Sequence, residues 1–106
     1  MNRISLTDNS GRWFDIETAK RWDEAVILAD DGTPISRATG NSWEHEVLFL
    51  TKNGTFLLFS GSDRNPSLST FDIIEPEKAV HWLLSNNHHD GIDQLEYSAE
   101  VKKFEL

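Results

Sequence analysis

Apolar and polar positions alternate most clearly in the middle of the chain. From Trp43 to Gly61 the sequence reads WEHEVLFLTKNGTFLLFSG: two aromatic-rich apolar runs, Val47–Leu50 and Phe56–Phe59, on either side of Lys52-Asn53-Gly54. Asn-Gly between such runs predicts a β-hairpin, because both residues tolerate the positive φ that tight hairpin turns demand. A two-residue turn over Asn53-Gly54 pairs Lys52 with Thr55, whereas a three-residue loop with a bulge at Gly54 pairs Thr51 with Thr55. In either register, alternation places Phe49 on one face and Leu48 and Leu50 on the other, with Phe56 and Leu58 opposite Leu57 and Phe59. Both faces are apolar, so the hairpin is expected at the centre of the fold. It needs a cover on each side, from helices, another part of the chain or a second subunit.

Weaker patterns flank it. Arg3–Thr7 alternates, Asp8-Asn9-Ser10-Gly11 makes a turn, and a short strand follows at Arg12–Ile16. A turn at Glu17-Thr18-Ala19 leads into a strand over Lys20–Leu28 that ends in Val26-Ile27-Leu28. Asp30-Asp31-Gly32-Thr33-Pro34 is turn chemistry, and Ala38–Ser42 is loop-like. Beyond the hairpin come a polar loop, Ser60–Leu68, and a strand, Ser69–Ile74. A helix starts at Pro76, where the missing N–H costs nothing and Glu77 suits the helix dipole. Val80, Leu83 and Leu84 form its core stripe, Ala79 and Trp82 flank it, and Asn86-Asn87 ends it. Asp93 with Glu96 reads as a capping pair for a second helix carrying Tyr97, Val101 and Phe104 at i, i+4, i+7. The expected architecture is α+β: one domain over residues 1–106, with an antiparallel sheet of about five to six short strands and one or two C-terminal helices packed on it.

Composition narrows the chemistry. A chain of 106 residues supports one core without staples, and it has no cysteine, which removes disulfides, thiolate zinc sites and a Cys nucleophile. No run has signal-peptide character or the roughly 20 apolar residues of a membrane span, so the expected setting is the cytoplasm without membrane contact. Eighteen acids against ten Lys and Arg give a net charge of −8. Nucleic-acid binding uses basic side chains to neutralise phosphates, so direct binding to DNA or RNA is disfavoured. The acidic surface keeps the chain soluble or meets a basic partner.

Few residues are candidates for site chemistry. His45 lies between Glu44 and Glu46, but on a strand the two glutamates share one face and His45 takes the other, so the three do not converge. The pair also lacks the x-x-H that completes a zincin motif. His88-His89-Asp90 after the first helix is the densest ligand-type cluster, with His81 seven residues before His88. Adjacent histidines in a loop diverge, and a polar connector explains them as well. Nucleophile elbows, phosphate-binding P-loops and dinucleotide fingerprints are absent. Asp8-Asn9-Ser10-Gly11 and Asp30-Asp31-Gly32 lack the remaining ligands of a calcium loop. Ser42 and His45, three apart, do not make a nucleophile and base. No cofactor is expected.

Four tryptophans are many for this length. Trp82 belongs to the helix core. Trp13, Trp22 and Trp43 stand among polar neighbours near strand ends, where large rings serve either as interface anchors or as lids on a small core.

Three segments together, Arg12–Ala19 (RWFDIETA), Thr39–Phe59 and Glu77–Leu83 (EKAVHWL), resemble a group of short bacterial proteins of chromosomal, phage or plasmid origin. The resemblance implies the order strand, hairpin, strand, late helix in a bacterial or phage setting. It carries no activity, cofactor or site residue.

The function expected from these features is that of a small acidic non-enzymatic protein-binding module, an accessory, inhibitor or immunity-type protein. Its expected contact residues are Trp13, Trp22, Trp43, Glu44 and Glu46. Three alternatives stand beside it: a self-associating homodimer, a small metal-dependent enzyme using His45, His88, His89 and Asp90, and a nucleic-acid mimic.

Overall fold

The N-terminal alternation closes on itself as a two-stranded ribbon, β1 (Arg3–Ser5) against β2 (Trp13–Asp15), with Ile4 opposite Phe14. This computed structural model describes all 106 residues. The chain then turns through Ile16–Ala19 into β3 (Lys20–Asp23), breaks at Glu24-Ala25, and forms a second ribbon from β4 (Val26–Leu28) and β5 (Pro34–Ser36). The central hairpin is β6 (Glu44–Leu50) and β7 (Phe56–Ser62), followed by a 3-10 turn at Pro66–Leu68 and β8 (Thr70–Ile74). Three helices complete the chain: α1 (Pro76–Ser85), α2 (His89–Ile92) and α3 (Ser98–Lys102). The main sheet has the order β3-β6-β7-β8, with every pairing antiparallel.

The hairpin corner takes the three-residue form. Thr51 N–H donates to the Thr55 carbonyl (2.9 Å), Gly54 N–H donates to the Thr51 carbonyl (3.0 Å), and Leu50 faces Phe56. Gly54 sits at φ 87°, which a side chain at this position would oppose.

Alternation along this pair then builds two cores. Leu48 and Phe56 are fully buried against Ala79, Val80, Trp82 and Leu83 of α1 and Ile92 of α2, with Trp22, Leu50, Leu58, Tyr97 and Val101 packed around them. On the opposite face, Phe49 and Leu57 meet Phe14 of β2 and Leu6, flanked by Val47, Phe59 and Phe71. The Phe14 ring lies 5.5 Å from that of Phe49 and 5.9 Å from that of Phe71, in tilted contacts. The helices cover one side of the hairpin and the N-terminal ribbon covers the other.

Several details differ from expectation. Strands number eight, because two pairs separate from the main sheet as ribbons. The segment Lys20–Leu28 is two strands in two sheets. At the break, the Glu24 carboxylate accepts the Glu46 N–H (2.6 Å) and the Asn86 side-chain carbonyl accepts the Ala25 N–H (2.9 Å), so side chains replace the ladder. Pro34 starts β5 instead of ending a turn, and β7 runs through Ser62, into the segment expected to be loop. In α1, Ala79 and Trp82 are more deeply buried than Leu84. Asp93 ends the short α2 and does not cap a helix with Glu96; α3 starts only after Tyr97. Tyr97 and Val101 still reach the core, so the i, i+4 pattern marks the packed face though the helix is one turn long.

Candidate functional site

The five expected contact residues occupy different parts of the molecule. Trp13 is 49% exposed on the N-terminal ribbon, with the Arg3 guanidinium 4.7 Å from its ring centroid. Trp43, just before β6, carries the Arg64 guanidinium 3.8 Å above its ring. Glu44 is exposed, and its carboxylate accepts the Asn41 side-chain N–H (2.8 Å). The other two point inward. Trp22 is half-buried on the helix-side core, where its Nε1 occupies the space that a Cβ on Gly91 would need. Glu46 is half-buried and accepts the Trp82 indole N–H (3.0 Å). Burial pushes the Glu46 carboxyl above its ordinary range, partly offset by the Trp82 hydrogen bond. Trp22 and Glu46 are thus structural parts of the helix-side layer, and the five residues do not form one patch.

Around Glu46 and Trp82 a groove of about 670 Å³ opens between the sheet and α1, with Arg37, Lys78, His81 and Phe104 at its sides. Its charged groups are of both signs.

The alternation that separates His45 from its neighbouring glutamates is observed, and His45 has other partners. Its Nδ1 lies 2.8 Å from Glu24 Oε2 and its Nε2 lies 2.9 Å from Asp63 Oδ2. Only the doubly protonated imidazolium donates from both nitrogens. Hydrogen bonds to Glu24 and then Asp63 hold the His45 pKa above the ordinary histidine value of 6.5, against a smaller opposing effect of burial. Chemically this is a clamp. One cation ties the β3–β4 break to the segment after β7, and both ring nitrogens are engaged, leaving no lone pair for a metal or for a base.

The C-terminal histidines disperse. His88 stacks on Trp82 (6.1 Å, 7° between planes) and its Nε2 donates to the Asp23 carbonyl at 2.6 Å. His81 lies beside Phe104 and Ser85, while His89 and Asp90 are exposed. No group of three His, Cys, Asp or Glu side chains is placed to hold a metal ion.

The feature left without an internal explanation is β4. Val26 is 55% exposed, Ile27 51% and Leu28 72%. Because neighbours on a strand point to opposite faces, both faces of this ribbon present apolar side chains to solvent. Its backbone is open as well. Hydrogen-bonded pairs alternate along an antiparallel ribbon. Arg37 N–H donates to the Ala25 carbonyl (2.8 Å) and Ala29 N–H to the Thr33 carbonyl (2.9 Å). Ile27 therefore pairs inward with Ile35, and the N–H and C=O groups of Val26 and Leu28 face the outer edge.

Other outer strands are covered only in part: the outward backbone groups of Arg3, Ser5, Trp13, Arg21 and Ile73 have no hydrogen-bond partner, but none of those strands exposes three consecutive apolar side chains as β4 does. On β5, Pro34 has no N–H, while the N–H and C=O of Ser36 bond to Asn41 and Gly40 (both 2.8 Å). On β8, Phe71 bonds to Thr7 through its carbonyl (3.1 Å) and through its N–H (3.0 Å). On β3, His88 covers the Asp23 carbonyl. Edge strands left bare are sites for pairing with another chain.

Comparison of the chain with protein-family models, with curated proteins and with solved structures gives no match.

Sequence reasoning passed over three things: the partners of His45, the openness of β4, and the inward roles of Trp22 and Glu46. Glu24 and Asp63 lie 21 and 18 positions from His45, so only the sheet register brings them together. For β4 a signal was present. Val26-Ile27-Leu28 is bracketed by Asp23-Glu24 and Asp30-Asp31, an arrangement that suits an uncovered strand better than a buried one.

Proposed function

We propose that this chain is a non-enzymatic protein-binding module that docks through the β4–β5 ribbon. The observation that carries this reading is the exposure of Val26, Ile27 and Leu28 on both ribbon faces, next to an unpaired edge. The hairpin β6–β7 has the same two-faced apolar pattern and receives both covers from its own chain. On the ribbon, the three side chains of β4 are all left more than half exposed. Fully covering three such side chains is worth on the order of several kcal/mol toward association, before its entropic cost is subtracted.

The net charge of −8 fits a binder of a basic protein, in the manner of an inhibitor or immunity-type protein. The cytoplasm is the setting this reading takes, and no helix is long and apolar enough to cross a membrane. Trp13 and Trp43 lie off the ribbon and take no part in the docking proposed here.

The test is capture of partners from host extract with the wild-type chain, Leu28→Asp and Trp13→Ala side by side. A stoichiometric partner retained by wild type and Trp13→Ala but lost from Leu28→Asp is expected. Recovery of no stoichiometric partner, or of one held equally by Leu28→Asp, overturns the proposal.

A further inference from the structure

We infer that β4 binds its partner by strand addition, taking an extended apolar segment flanked by Lys or Arg; this rests on the binding-module reading above.

The backbone supplies the first half of the inference. Val26 and Leu28 present two N–H and two C=O groups along one edge, spaced for an incoming antiparallel strand, while the missing N–H of Pro34 and the Ser36 bonds leave only the Pro34 carbonyl open on the far edge of β5. Side chains supply the specificity: Val26 and Leu28 offer one apolar face and Ile27, beside Ile35, offers the other. An added strand is thus read on both faces by alternate apolar residues.

Charge decides between a second copy and a different protein. A two-fold axis through Ile27 would pair Val26 of one copy with Leu28 of the other and satisfy all four backbone groups. The same register places Asp30 opposite Glu24 and Asp31 opposite Asp23 at both ends. Glu24 is already shared between His45 and the Glu46 N–H, and Asp23 lies 2.9 Å from Arg21. Asp30 and Asp31 have no cationic group within ion-pair distance, so nothing in the chain offsets them at the ribbon tip. Like charges directly opposite on paired strands are unfavourable, and two chains of net charge −8 add to that repulsion. A segment with basic residues beside the tip has the complementary charge.

The probe is a capped synthetic peptide, Lys-Arg-Val-Ile-Val-Arg-Lys, with two controls: its twin with Glu at the four basic positions, and the same peptide N-methylated at both valines. Amide exchange at Val26 and Leu28 of the intact chain is followed by NMR, with sedimentation on the same samples. The basic peptide is expected to slow exchange at both amides about tenfold near saturation. It should bind about tenfold more tightly than the acidic twin at low salt, with the advantage falling as salt rises. The N-methylated peptide should protect neither amide. Equal binding of the acidic twin removes the charge assignment, and equal protection by the N-methylated peptide removes strand addition. A concentration-dependent dimer that Leu28→Asp abolishes assigns the edge to a second copy instead. If no peptide protects the amides but Leu28→Asp still loses the captured partner, strand addition falls and the module reading stands; if capture itself fails, that reading falls.

Discussion

Glu24 and His45 meet at 2.8 Å across the point where the third and fourth strands part. The same carboxylate accepts the Glu46 N–H, so one side chain takes the place of the next rung between β3 and β6 and frees the chain to leave the sheet. The open ribbon begins at Val26, separated from this junction by Ala25 alone. The clamp therefore fixes where the β4–β5 ribbon departs from the main sheet.

The clamp gives a pH dependence of defined sign. The folded-state pKa of His45 is raised, so its stabilisation is fully present below the unfolded value, near 6.5, and is lost as pH rises through the folded value. His45 is 39% exposed, so solvent screening keeps the effect under about 1 kcal/mol. Denaturant unfolding of wild type and His45→Gln should differ at pH 6 and converge at high pH, and the His45 ring should titrate above 6.5 by NMR. A midpoint at or below that value contradicts the clamp.

Glu46 should behave in the opposite sense to a stabilising carboxylate. Its pKa is raised by burial, so ionisation weakens the fold as pH climbs through the raised value. Glu46→Gln keeps an acceptor for the Trp82 indole and removes the charge. It is expected to leave stability unchanged near pH 4 and to raise it by up to about 1 kcal/mol at pH 7. Marked destabilisation at pH 7 would show that the carboxylate charge holds the site together.

Phe14 tests whether the N-terminal ribbon is a true second cover. It is 5% exposed and packs on Phe49 and Phe71. Phe14→Ala should cost about 3 kcal/mol, comparable to Leu83→Ala on the helix side. A loss below about 1 kcal/mol in thermal or denaturant unfolding would mean that the ribbon is loosely attached.

Gly54 carries the hairpin corner at φ 87°, with open space where a Cβ would sit. Gly54→Ala is therefore strained by conformation alone and should cost about 1 kcal/mol. An unchanged unfolding midpoint would argue against the three-residue loop.

The hairpin was legible because its signals are local: Asn53-Gly54 marks the corner, and alternation of Leu48, Phe49 and Leu50 marks both buried faces. Pro76 and the α1 stripe were legible for the same reason. The break at Glu24-Ala25 was not, since the acidic pairs that bracket Val26-Ile27-Leu28 mark an uncovered strand without marking the residue at which the chain leaves the sheet. The partners of His45 and of Trp82 come from distant segments and depend on register and helix placement. Tryptophan content alone did not separate Trp22, packed beside Gly91, from Trp13, which faces solvent.

Leu28→Asp should leave the fold intact. Leu28 is 72% exposed, so the change is expected to shift stability by less than about 0.5 kcal/mol while removing partner binding. Loss of binding accompanied by unfolding would deprive the ribbon of its assigned role.

The most direct measurement is amide hydrogen exchange across the whole chain, free and in the complex purified from host extract. Val26 and Leu28 should exchange rapidly in the free chain and become protected in the complex, while β6 and β7 are protected in both. Protection confined to other segments, with Val26 and Leu28 exchanging as fast bound as free, would contradict the assignment of the β4–β5 ribbon as the binding surface.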